Sequence, residues 1–184
     1  MPLNPASSHS AAASPSGLTQ LSSVTLGVAG AFDVSAISQA YSDLMLVLIV
    51  RGSAAADQML LRLNADSGAN YNSQAAQGTN GTWSTFSSAA ATSANFGQIP
   101  GSSATAGIFA AFVLDILGYT STTWHKVIAG KAAYVGVDNT GANQSETLQA
   151  SRWASTAAVT RVQVANQTFG NLAAGSQLRI YGRV

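Results

Sequence analysis

Asp43-Leu44-Met45-Leu46-Val47-Leu48-Ile49-Val50-Arg51 is the stretch that decides the fold. Its aliphatic run is far shorter than the ~20 residues a bilayer-crossing helix needs. Closed by an acid at one end and a base at the other, it reads as a β-strand covered on both faces. Upstream, residues 18–26 (LTQLSSVTL) have strand character. Downstream, residues 58–64 (QMLLRLN) lead into Asn64-Ala65-Asp66-Ser67-Gly68-Ala69-Asn70, whose side chains suit a turn. Further strands are expected at 82–86, 93–98, 108–117, 124–137, 146–153, 159–165 and 177–184, with Gly, Asn and Pro punctuating the connections. The only helical candidate, at 34–41, is short enough to be read equally as a turn. Strands at this spacing, without alternating long helices, predict an all-β chain: an antiparallel β-sandwich of jelly-roll type. No fixed-period repeat, heptad or collagen-like triplet breaks that pattern.

Composition narrows the function. The chain of 184 residues has eight basic and seven acidic side chains and a formal net charge of +1. Charged residues make up 8%, against roughly a quarter in an ordinary soluble domain. Ala, Ser, Gly and Thr supply about half of the positions. So neutral an exterior is poorly soluble if water surrounds it, which implies that much of it faces other protein. No run of like charge provides a footprint for nucleic acid or for an anionic membrane. The absence of cysteine rules out disulfides, thiolate metal sites and a cysteine nucleophile.

Residues 1–17 (MPLNPASSHSAAASPSG) contain three of the four prolines and show neither helical nor strand periodicity. They lack the basic and apolar regions of a signal peptide. An arm of this kind buries too little of itself to offset ordering its backbone at ~1–2 kcal/mol per residue, so it orders by lying on a partner or by packing back on its own domain. The expected organisation is an extended N-terminal arm, residues 1–17, followed by a β-sandwich domain, residues 18–184.

Candidate chemistry is sparse. His9 falls in the arm and His125 follows Trp124 inside a predicted strand. Neither has a partner at metal-ligand or catalytic spacing. Asp115, between Leu114 and Ile116, suits a bonded structural carboxylate better than a general acid. Asn64, Asp66, Gly68 and Asn70 alternate like a calcium loop but lack its terminal glutamate and most of its charge, so a turn rich in Asn and Asp is the simpler reading. Tyr71, Trp83 and Phe86 suit a glycan-stacking platform or, more simply, core or subunit contacts. No catalytic, cofactor-binding or metal-binding residue is assigned. The chain reads as a non-enzyme without cofactors.

Four landmarks carry a resemblance: Tyr41-Ser42-Asp43-Leu44-Met45-Leu46, then Leu61-Arg62-Leu63-Asn64-Ala65-Asp66-Ser67-Gly68-Ala69-Asn70-Tyr71, then Trp153-Ala154-Ser155-Thr156-Ala157-Ala158-Val159-Thr160, and finally Gly175-Ser176-Gln177-Leu178-Arg179-Ile180-Tyr181-Gly182. Their order and spacing resemble a family of small β-sandwich virion proteins of tailed bacteriophages, found as capsid decoration proteins and as parts of tail fibres. Leu63 stands where that pattern has an aromatic, and the first 36 residues match nothing in it. The resemblance implies a virion structural protein. With the neutral surface and the arm, the expectation is a capsid decoration, or cement, protein. It would be made in the host cytoplasm, would form a homotrimer on the head surface, and would staple neighbouring major capsid proteins noncovalently. The alternative is a tail-fibre or receptor-binding module that recognises a host surface carbohydrate through loops at 74–86 and 137–145. For that role the chain leaves little room for a shaft.

Overall fold

The computed structural model describes residues 17–54, 57–134 and 144–184. The arm, residues 1–16, lies outside them, as do 55–56 and 135–143. Twelve strands are present among the described residues: β1 (Leu18–Thr25), β2 (Phe32–Val34), β3 (Asp43–Val50), β4 (Asp57–Leu63), β5 (Tyr71–Thr79), β6 (Thr82–Ala91), β7 (Ala94–Ile99), β8 (Ala110–Leu117), β9 (Lys126–Tyr134), β10 (Ser145–Trp153), β11 (Val162–Asn166) and β12 (Gln177–Arg183). One 3-10 turn, Gln167–Phe169, is the only helical segment among the described residues.

The strands form two antiparallel sheets with the apolar core between them. One has eight strands in the order β1-β12-β3-β8-β9-β10-β5-β6, and the other has four in the order β2-β11-β4-β7. Pairing is nested: β1 with β12, β2 with β11, β3 with β8, and β4 with β7. The hairpins β5–β6 and β9–β10 extend the large sheet beyond β8, and β7 packs over β5, β9 and β10.

β3 shows how the sequence builds this. Leu44, Leu46, Leu48 and Val50 are fully buried between the sheets, each contributing about 1.5–3 kcal/mol. Met45 and Val47 on the opposite side are half-buried, and Ile49 is 36% exposed. The two-faced cover expected for this run is therefore half present. The other face points away from the four-stranded sheet.

Three further expectations need correction or refinement. Residues 34–41 take the turn rather than the helix alternative: Val34 ends β2 and an irregular stretch of bends follows, with the Ile37 N–H donating to Thr160 O (3.1 Å) and Gln39 Nε2 donating to Val159 O (2.9 Å). The stretch 74–86 is a hairpin of β5 and β6 rather than a loop, turning through Asn80 (φ 50°) and Gly81 (φ 78°). The strand expected at 159–165 starts at Val162, because the Thr160 and Arg161 N–H groups bond to Asn64 Oδ1. β5 was legible from no hydrophobic alternation. Its inward side chains include Ser73 and Gln77, which meet hydroxyl and amide groups of β10 and β5 rather than aliphatic ones. Ser73 Oγ lies 2.8 Å from Ser151 Oγ, Gln149 Nε2 donates to Ser151 Oγ, and Gln77 Nε2 donates to Thr79 Oγ1.

Candidate functional site

The first three sequence landmarks and the Tyr181–Gly182 end of the fourth meet at one end of the sandwich, while Gly175 and Ser176 lie at the other, beside Leu26 and Arg51. Asn64 and Ala65 adopt positive φ (53° and 56°) and turn the chain out of β4. Asp66 then acts as a hub: its Oδ1 accepts from Gly68 N–H (2.8 Å), and its Oδ2 accepts from Asn70 Nδ2 (2.8 Å) and Trp153 Nε1 (2.7 Å). Asn64 reaches the 154–161 loop, with Nδ2 donating to Ala158 O and Oδ1 accepting from Thr160 and Arg161. The Tyr71 hydroxyl accepts from the Leu63 N–H at 2.9 Å. The same end includes Tyr41, whose ring fills the space that a Cβ on Gly182 would need. Asp43 there pairs with Arg183 at 3.2 Å.

A buried lysine braces this end. Lys126 Nζ donates to Ser121 O (2.6 Å), Trp124 O (3.0 Å) and Thr156 O (3.3 Å), holding the 118–125 and 154–161 loops together. Val159 N–H donates to Tyr119 O, and the Tyr119 hydroxyl donates to Ser38 O. The first described strand also begins here, since Leu18 is opposite Arg183.

Electrostatics follow from these contacts. Burial pushes the Asp66 carboxyl up, but the bonds from Trp153, Asn70 and Gly68 and the charge of Arg62 outweigh it and hold the group below the usual carboxylate range. Burial raises Tyr71 to about 12, and burial lowers Lys126. The bond from Arg161 holds Asp33 low at the surface, opposed by partial burial and aided by Gln163.

This arrangement binds the chain to itself. The oxygens of Asn64 and Asp66 that suggested a calcium loop are turned onto protein N–H donors, so the segment is a braced turn. Among the described residues no group of three or more His, Cys, Asp or Glu is placed to hold a metal ion. His125 is exposed between Trp124 and Lys126, and His9 lies outside the described residues. Asp115 forms an ion pair with Arg183 at 3.3 Å. Tyr71, Trp83 and Phe86 do not assemble into one platform: Tyr71 is in the core, Phe86 is half-buried opposite Ala75, and Trp83 is 62% exposed over Gly78 near the other end.

The surfaces left for partners are the sheet edges and one sheet face. Edge strand β6 has ten residues and edge strand β1 has eight, and neither contains a charged residue or a proline. Natural sheets normally blunt such edges with charge, proline or bulges, and here a bulge interrupts each strand once. Sequence reading missed these edges because their exposure depends on which strands lie outermost. Compared with known protein families, curated proteins and solved structures, the chain matches none of them.

Proposed function

We propose that this chain is a structural protein of a bacteriophage virion, a capsid decoration protein that assembles as a homotrimer on the head surface and joins neighbouring major capsid subunits noncovalently. The observation that carries this reading is the pair of long, uncharged edges, unpartnered among the described residues, in a chain with few charged side chains. Strands in the large sheet alternate strictly, so β6 of one copy runs antiparallel to β1 of an identically oriented neighbour. That head-to-tail pairing is the kind from which a closed ring of three can be built. With the two inserted hairpins set aside, the remaining order, β1-β12-β3-β8 facing β2-β11-β4-β7, supports reading the sandwich as of jelly-roll type, a fold common in capsid architecture. The arm would leave from the braced end of the sandwich and lie along neighbouring shell subunits, adding avidity through three weak attachments per trimer.

Deleting residues 1–17 tests this directly. The full-length protein should bind purified shells that lack it, and the truncated protein should not. If the full-length chain ignores such shells but binds host cells or a glycan array, the decoration reading fails. The tail-fibre reading then takes its place. One observation favours that second reading: exposed Trp83 shares a shallow groove of about 210 Å³ with Asn80, Gln144 and Glu146, side chains that can bond and stack a sugar.

A further inference from the structure

We infer that the outer face of the eight-stranded sheet binds a second copy of this chain about a two-fold axis. This goes beyond the assembly proposed above, which uses the sheet edges and the arm. Of the large apolar side chains left exposed, Ile49 (36%), Leu117 (45%), Val127 (46%) and Leu148 (67%) all point outward from this face. Such an apolar concentration on one face marks a contact surface. It also accounts for β3, whose aliphatic outer side has no second sheet over it among the described residues.

A groove of about 410 Å³ crosses β8, β9 and β10 on this face. Ala111, Val113, Ala133 and Leu148 form its apolar walls, and Lys131 and Glu146 are the charges beside them. The register fixes their arrangement: Lys131 is opposite both Val113 and Leu148, and Glu146 is opposite Ala133, which in turn faces Ala111. Both charged side chains are exposed. Neither makes a hydrogen bond or ion pair with another described residue, whereas Asp43, Asp115 and Arg183 on the same sheet pair with each other.

One cation and one anion, adjacent across an apolar groove and unpaired among the described residues, are what a self-complementary contact requires. A two-fold axis passing between Lys131 and Glu146 sets the ammonium of each copy over the carboxylate of the other. The same rotation brings the Leu148 side chains of the two copies together beside the axis, since Leu148 is opposite Lys131 and two residues along β10 from Glu146. An anionic lipid surface would call for charges of one sign, and a glycan would call for a ring of hydrogen-bonding side chains. The groove has neither.

Sedimentation velocity on the full chain, over a range of concentrations, tests the proposal. Wild-type protein should associate in an even number of copies. Leu148→Arg should halve the mass while leaving the melting temperature unchanged, since Leu148 is exposed. Lys131→Glu alone, or Glu146→Lys alone, turns two attractive contacts per pair of copies into two repulsive ones and should weaken the association about tenfold or more. The double charge swap should restore it to within about twofold. An odd number of copies at every concentration, an unchanged mass for Leu148→Arg, or a double swap no tighter than the singles would overturn the two-copy contact. Loss of shell binding by Leu148→Arg with unchanged mass would assign the face to the shell instead, overturning this inference while leaving the virion reading intact. Failure of the full-length chain to bind shells, with the mass results as expected, would do the reverse.

Discussion

The indole N–H of Trp153 lies 2.7 Å from the Asp66 carboxylate and ties the end of β10 to the turn after β4. Residues 87 apart in sequence thereby share one bond, and the braced end of the sandwich is organised around it.

Removing that carboxylate should be costly. Asp66→Ala leaves the Trp153, Asn70 and Gly68 donors without their acceptor, a loss of about 2–3 kcal/mol in urea unfolding at neutral pH. Because the folded group titrates below its ordinary value, its contribution is complete above the unfolded value of about 3.9 and is lost as pH falls through the folded one. The gap between wild type and Asp66→Ala should therefore narrow below about pH 4. A gap that stays constant down to pH 2 would contradict this assignment.

Tyr71 gives a signature at the alkaline end. Burial raises its hydroxyl to about 12 and also raises Tyr119 and Tyr134, so ultraviolet titration of the folded protein should show buried tyrosines ionising after the exposed ones. A group raised above its unfolded value of about 10 contributes stability that is complete below pH 10 and lost as pH climbs towards 12. Tyr71→Phe should remove one tyrosine's absorbance change from the late step and make the alkaline decline shallower.

Gly182 and Tyr41 form a steric pair. A Cβ at position 182 would lie 2.4 Å from Tyr41 Cγ, so Gly182→Ala must displace the ring or the strand, at a cost of about 1–3 kcal/mol. In a Tyr41→Ala background the same substitution should cost much less. Equal costs in both backgrounds, measured by a double-mutant cycle, would mean the ring is not what excludes the methyl group.

Lys126 holds two loops through three carbonyl oxygens. Lys126→Met fills similar volume but leaves those carbonyls without the ammonium, and should destabilise the fold by about 2–4 kcal/mol. Hydrogen exchange should rise first in residues 118–125 and 154–161. Uniform loss of protection across the sheets, with those loops unaffected, would argue against the clamp.

Alternation and punctuation along the chain determined most of the β-strands, because a residue's preference for a pleated, half-buried surface is local. Leu44, Leu46, Leu48 and Val50 fell to the core side and the Asn64–Asn70 segment became a turn, as their side chains dictate. Only the tertiary structure decided where the landmarks meet, since Asp66 and Trp153 are brought together by the pairing of β5 with β10. It also decided that Ser73, Gln77 and Gln149 point inward, where Ser73 meets Ser151 across the strand pair while Gln77 and Gln149 bond to Thr79 and Ser151 on their own strands. Whether β1 and β6 end the sheet, and which side of β3 goes uncovered, depends on strand order. That order is set by long-range pairing and leaves no periodic trace in the sequence.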